Sequence, residues 1–340
     1  MNDTGYNLRS MRAENKKLLL RLLGAQGPMS RKALAEAAQL TPAAVSKLCT
    51  ELIAEGRIAE TAPAETAGAG RREIPLRLCL QEKLILGVNA ETTQISYALC
   101  TLSGQLRALL QTPFTTGTAA VLKTAQGFLA AHAVDPEALF AVGVCIVGAV
   151  GTGSYGLWDA QAIRAAFEAA FCRPVAVENN VKAFALGQAH LRPAGKGATL
   201  FFKWGPGVGS AILSNGTVLS GAESGLAEIG HYIVRPDGKP CRCGRRGCLE
   251  AEAAVNGAPS PAVIDTVALA LANTATILEA DGVVFFGTQF ADPAVAEALK
   301  ARILHYNSTL PPAAVLTAPE NDRLAYIGPA ALCAERFFFV

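Results

Sequence analysis

Leucines recur at helical spacing near the start of the chain. Leu19, Leu22 and Leu23 can share one face of a helix running from about Leu8 to Leu23, with Gly24 and the Gly27-Pro28 pair as its stop. Ser30 has the chemistry of an N-cap for a short helix, Arg31 to Ala38, that turns Leu34 inward. A break at Gln39-Leu40 precedes Thr41-Pro42, a cap followed by a proline at the first helical position, where the missing N–H costs nothing. Val45, Leu48, Leu52 and Ile53 make the apolar stripe of that helix and leave Ala43, Ala44, Ser46, Lys47 and Thr50 on the open side. A strand over Arg57 to Glu60, a Pro/Ala/Gly-rich tip ending in Arg71-Arg72, and a returning strand through Ile74, Leu76 and Leu78 complete the pattern of a winged helix-turn-helix over residues 1–80. Small residues let such a helix approach the floor of a major groove, Lys47 can pair with a phosphate or a base edge, and a basic tip can lie along the backbone. The candidate contacts to double-stranded DNA are therefore Ser30, Arg31, Thr41, Pro42, Ala43, Ala44, Ser46, Lys47, Arg71 and Arg72. The same hydrophobic pattern would also suit a helical oligomerisation cap.

From residue 81 onward the texture changes. Apolar runs at Leu84 to Val88, Ile95 to Cys100, Leu106 to Gln111, Ala141 to Val147, Val175 to Val177, Thr199 to Trp204 and Gly282 to Phe286 read as strands. Helical stretches fall at Ala119 to His132, Ala160 to Phe171 and Val181 to His190. Strands alternating with helices predict an α/β fold for residues 81–340, and ligands in such folds sit at the carboxyl ends of strands. Glu178-Asn179-Asn180 lies at one such end. Its amides could meet the hydroxyls of a sugar, or could simply cap the following helix. The run Gly205-Pro206-Gly207-Val208-Gly209 permits either close approach of a phosphate or tight packing of strand on loop.

Charge sharpens the division. Residues 1–80 hold 12 Lys/Arg against 8 Asp/Glu, a net of +4, whereas the other 260 residues hold 18 against 20, a net of −2. A basic head on a near-neutral body suits a polyanion at the N-terminal end. The opening residues show no basic-then-apolar leader, and no apolar run is long enough for a membrane span, so a cytoplasmic, non-membrane protein is expected. Of nine cysteines, six are scattered among apolar neighbours, as small buried hydrophobes would be in a reducing compartment. The other three, Cys241, Cys243 and Cys248, form a C-x-C-x4-C knuckle with two glycines. His231, ten residues upstream, can supply a fourth ligand, giving a closed tetrahedral Cys3His set for a structural Zn2+. Arg242, Arg245 and Arg246 would favour thiolates. Glu228 and Glu250 flank the knuckle and become candidates for contact with a ligand beside it; a lone buried glutamate is otherwise a paired structural charge.

These residues resemble the ROK family (repressors, open reading frames, kinases), and in particular its regulators with an N-terminal winged helix-turn-helix. The likeness is carried by Glu228-Ile229-Gly230-His231 with Cys241 to Glu250, and in the head by Ser30-Arg31, Leu34-Ala35, Thr41-Pro42, Val45-Ser46 and Gly70-Arg71-Arg72. It implies an actin-like/hexokinase-type body of two α/β lobes around a sugar cleft. By resemblance, zinc falls to His231, Cys241, Cys243 and Cys248, and sugar hydroxyls to Asn179, Asn180, Glu228, His231 and Glu250. It further implies a homodimer or homotetramer on inverted-repeat operators. Two departures argue against phosphoryl transfer. The family kinases carry Asp as the third residue of the strand-end motif, and Asn180 cannot accept the proton that such a base removes. Their glycine-rich Asp-x-Gly-Gly-Thr phosphate loop reads Asn89-Ala90-Glu91-Thr92-Thr93 here, with Glu91 placing a negative charge among the phosphates. The expectation is a sugar-responsive regulator, most naturally a repressor, without kinase activity. The competing readings are a sugar kinase with a DNA-binding head, and a ligand-independent DNA-binding protein whose pocket has decayed. Asn256 to Pro261 reads as a short loop replacing a longer helical stretch.

Overall fold

The computed structural model describes residues 8–62, 73–148, 158–191, 197–219, 227–318 and 323–340. Helix α1 (Leu8–Gln26) runs through Gly24, which the sequence pattern offered as its stop; the chain leaves the helix at Gly27, where φ is 80°. After the two-residue strand β1 (Met29–Ser30), α2 (Arg31–Ala38) starts on Ser30, whose hydroxyl accepts the Ala33 N–H at 3.2 Å, and ends on Gln39 with φ 54°. Thr41 caps α3 (Pro42–Ala54) by accepting the Ala44 N–H at 3.3 Å. Strands β2 (Ile58–Glu60) and β3 (Pro75–Leu78) return antiparallel, and β3 also pairs with β1. This is the winged helix-turn-helix arrangement. Arg71 and Arg72, the expected basic tip, lie outside the described residues. Leu76 is buried, but Ile74 is 39% exposed and stands just outside the strand.

The body consists of two lobes with one topology. In the first, β4 (Leu84–Ala90), β5 (Gln94–Thr101) and β6 (Leu106–Pro113) form an antiparallel meander. Helix α4 (Thr118–Ala131) leads to β7 (Ala141–Ile146), and α5 (Ala160–Phe171) leads to β8 (Val175–Asn179), which extend the sheet in parallel. The order is β6-β5-β4-β7-β8. Helix α6 (Asn180–Leu191) crosses to the second lobe. There β9 (Ala198–Trp204), β10 (Val208–Ser214) and β11 (Thr217–Val218) repeat the meander. After the four-residue α7 (Leu249–Glu252) come α8 (Pro261–Ile277), β12 (Ala280–Phe286), α9 (Pro293–Tyr306) and β13 (Val315–Thr317), giving the order β11-β10-β9-β12-β13. Pro261 is the first residue of α8, capped by the Ser260 hydroxyl, so the loop expected over Asn256 to Pro261 closes one residue earlier. Among the described residues no helix is long and apolar enough to cross a membrane.

The last helix of each half lies on the other half. Helix α6 packs on β10 of the second lobe, while α10 (Leu324–Cys333) lies across β4, β5 and β7 of the first, and the two helices pack on each other. Missing side chains permit this. A Cβ on Gly143 would come within 2.5 Å of the Pro329 carbonyl oxygen, and one on Gly187 would fall inside Ile327. Beyond α10 a single π-helical turn, Ala334–Phe338, reaches the head. Leu19, Leu23, Leu34, Val45 and Leu52 of the head share one apolar core with Ile85, Cys100 and Ala141 of the first lobe and with Phe338 and Phe339. Arg57 donates to the carbonyl oxygens of Phe338 (2.9 Å) and Val340 (2.5 Å), and Arg21 pairs with Glu335 at 2.6 Å.

Candidate ligand cleft, metal knuckle and nucleic-acid face

The carboxyl ends of β4, β7 and β8 open onto a cleft between the lobes. The first lobe contributes Glu91 and Thr92 after β4, Val147 and Gly148 after β7, and Asn179 with Asn180 at the junction of β8 and α6. The second contributes Lys203 from β9, the loop from Pro206 to Ser210, Glu228, Arg242 and Glu250. The four residues read from the sequence for sugar hydroxyls other than His231 thus line one space, and His231 stands at its edge with Nδ1 3.9 Å from a Glu250 oxygen.

The strand-end asparagines do different things, and capping holds for one of them. Asn179 is a cap: its Oδ1 accepts the N–H groups of Val181 (2.9 Å) and Lys182 (3.1 Å), and its amide donates to the Gly148 carbonyl at 2.9 Å. Asn180, only 8% exposed, turns toward the end of β4 and donates to Glu91 Oε1 at 3.1 Å. The same oxygen accepts from Asn89 at 3.2 Å, and the other Glu91 oxygen forms an ion pair with Lys203 of the opposite lobe. The negative charge expected at Glu91 is therefore present but is already met by one ammonium and two amides. Nothing in the sequence connected these residues, which are 89 and 112 positions apart. The glycine run is settled by packing at one position: a Cβ on Gly209 would come within 2.7 Å of Val181, the first turn of α6.

The second acidic pair is closed within its own lobe, Arg242 bonding Glu250 at 2.9 Å. Burial pushes the Glu228 carboxyl above its ordinary range, against the attraction of Lys182, which is itself 2% exposed.

Beside the cleft a 3-10 turn, Ile229–His231, and bridges pairing Ile233 with Cys248 and Pro240 with Arg246 fold the knuckle. The four donor atoms of His231, Cys241, Cys243 and Cys248 lie within 4.8 Å of one another. Cys241 Sγ is 3.5 Å from His231 Nδ1, and the Sγ atoms of Cys243 and Cys248 are 3.6 Å apart. Around a tetrahedral Zn2+ with bonds of about 2.3 Å to sulfur and about 2.0 Å to nitrogen, ligand atoms sit about 3.5–3.8 Å apart, so the cluster fits such an ion. Its titration is consistent with that chemistry. Burial raises the Cys243 thiol, but hydrogen bonds from Arg245 and the neighbouring thiols bring it down to about 7. Burial and the other two cysteines push Cys248 up to about 12. Burial also lowers His231, favouring the neutral imidazole that a metal requires.

On the head, Pro42, Ala43, Ser46, Lys47 and Thr50 are exposed along α3, and Ala44 is half-buried. Thr41 and Ser30 spend their hydroxyls on the caps of α3 and α2. Arg31 pairs with Glu60 at 2.8 Å, which ties the start of α2 to the wing strand β2.

A duplicated α/β body with a polar cleft at its strand ends and a Cys/His knuckle at the cleft's rim carries a winged helix-turn-helix head. The ROK family model matches residues 85–258, just over half of the chain, and the protein belongs to the ROK family. It is similar to the DNA-binding transcriptional dual regulator NagC of Escherichia coli K12, 29% identical over 254 residues, which are 71% of this chain and 62% of that protein. The chain thus spans under two thirds of the length of that relative. Among solved structures it superimposes on a ROK family transcriptional regulator, a homologue of the E. coli MLC protein, with a TM-score of 0.76 at 20% identity over 97% of both chains. It also superimposes on the ROK hexokinase of Thermus thermophilus, with a TM-score of 0.59 at 24% identity over 73% of this chain and 97% of that one. At these identities the two structures establish the shared fold.

Proposed function

We propose that the protein is a sequence-specific transcriptional regulator, a repressor of carbohydrate genes. In this reading residues 1–80 bind DNA, and residues 81–340 bind a sugar or sugar derivative and form a homodimer or homotetramer in the cytoplasm. The supporting observation is the route between cleft and head. Glu335 and Arg336 are adjacent in the tail: Glu335 holds Arg21 of α1, and Arg336 lies 3.7 Å from Glu178, the first residue of the strand-end triplet. A ligand that changes the angle between the lobes would act on this tail and on the first lobe, and the head would follow. In a dimer that shifts the spacing of two recognition helices, and half-sites are read at intervals of about one helical turn of DNA. Zn2+ held by His231, Cys241, Cys243 and Cys248 would fix the loop carrying Glu228 and the start of α7 carrying Glu250. With four protein ligands it would leave no open position for water activation.

Kinase activity is absent in this reading, because the Asn180 amide donates a hydrogen bond where a base must accept a proton. The test is retention of sheared source-genome DNA on the purified, zinc-loaded protein, followed by sequencing. Enrichment of a few inverted-repeat sites, released by a sugar, is expected. Retention without sequence preference, lost at moderate salt, would leave only phosphate attraction and end the regulator reading. A kinase remains the second reading, since the fold is shared with a ROK hexokinase. Sugar-dependent ATP turnover in a coupled assay would establish it.

A further inference from the structure

The charges that line the cleft meet one another, and one of those meetings spans the two lobes. Glu91 comes from the end of β4, and its partner Lys203 from the middle of the facing sheet. The pair is largely sheltered, with side chains 21% and 14% exposed, and Asn180 and Asn89 complete the carboxylate's hydrogen bonds. Arg242 is engaged by Glu250, and Lys182 and Glu228 attract each other. An anionic ligand entering this space would have to take Lys203 from Glu91 or Arg242 from Glu250. Either exchange strands a carboxylate beside the incoming negative charge, which costs more than the new contact returns. A ligand bearing hydroxyls meets no such conflict, because the carboxylates can still accept from O–H donors and the Asn180 oxygen and backbone groups serve the remainder.

We propose that Glu91 is the specificity-determining residue of the cleft: by occupying Lys203 across the lobes, it excludes phosphorylated and other anionic ligands and selects an uncharged, polyhydroxylated one. The proposal rests on the reading of the cleft as the effector site. It adds the ligand's charge class and names the residue that sets it. Glu91→Gln keeps the shape and the amide contacts but releases the Lys203 ammonium into a sheltered, amide-lined space, which is the composition of an anion site.

Binding is measured on the full zinc-loaded chain by calorimetry and by thermal unfolding at constant ionic strength. The probes are inorganic phosphate, D-glucose 6-phosphate, and the neutral sugars D-glucose, D-xylose and N-acetyl-D-glucosamine. The natural protein is expected to give no response to phosphate and to bind no sugar phosphate more tightly than the parent sugar. E91Q is expected to gain affinity for phosphate and for glucose 6-phosphate by about tenfold or more, the scale of one charge-assisted contact. The double variant Glu91→Gln/Lys203→Gln is expected to lose that gain, which assigns it to the ammonium. A natural protein that prefers the phosphorylated sugar, or an E91Q protein that folds and gains nothing, overturns the proposal. If no neutral sugar binds the natural protein while E91Q acquires phosphate through Lys203, anion exclusion by Glu91 stands and the sugar-effector reading fails.

Discussion

Two junctions divide this chain, and they are made of different materials. Where the head meets the first lobe, leucines of α1 to α3 close over Ile85, Cys100, Ala141, Phe338 and Phe339 in a single apolar core. Where the lobes face each other across the cleft, the contact is ionic: Glu91 pairs with Lys203, and Asn180 of the same lobe as Glu91 donates to its carboxylate. Apolar packing is dense, short-ranged and intolerant of sliding. Hydrogen bonds at a cleft can be remade with hydroxyls or with water at little net cost, so long as no charge is left without its partner. The difference places rigidity at the first junction and adjustability at the second. On the proposed reading the head would travel with the first lobe, and motion at the cleft would carry α3 with it.

The largest test falls on the lobe that bears the knuckle. Structural zinc is worth about 10–16 kcal/mol in small zinc-binding peptides, so its loss should unsettle the second lobe well before the head. Cys248→Ser is expected to purify with little zinc by elemental analysis and to unfold at a lower temperature. Full zinc occupancy in that variant would remove the knuckle from the account.

Next comes the apolar junction. Phe338 is fully buried, and Phe338→Ala should cost about 3–5 kcal/mol in denaturant unfolding, with faster hydrogen exchange in α1 and α3. A loss below about 1 kcal/mol would mean that the head is not welded on by packing. Arg57→Ala removes the donor to two tail carbonyls and should cost about 1–3 kcal/mol by the same measurement. If exchange in the head stays unchanged in this variant, the tail is held by its phenylalanines alone.

The smallest effect on stability belongs to Lys47→Ala, a change on an open surface. Operator affinity should fall, and the slope of log affinity against log salt should shrink by about one unit if the contact is to phosphate. An unchanged slope with relaxed site preference would assign Lys47 to a base edge instead.

The parts legible in the sequence were those governed by local rules. Caps at Ser30 and Thr41, the proline opening α3, and strands bounded by turns are written within a few residues of where they act. The knuckle was legible for the same reason, since Cys241, Cys243 and Cys248 are neighbours in the chain. What stayed hidden depends on distant partners or lacks a period. Helix α8 carries apolar Leu269 and Ile277 on its exposed side and so shows no amphipathic stripe, and α10 carries Pro329 in its interior, a residue that reads as a breaker. Glu91 read as a bare charge because Asn180 reaches it only through the folding of the first sheet and Lys203 only through the meeting of two lobes.

The shared core of the head has a consequence for how such a protein can be recombined. A module moves between genes when it carries its own interior with it. This head does not: part of its interior is supplied from the far end of the polypeptide, by the turn that follows α10. A graft of residues 1–80 onto another body would expose leucines that Phe338 and Phe339 now cover. A working chimera would need that turn exchanged together with the head, so two segments far apart in the sequence form one heritable unit.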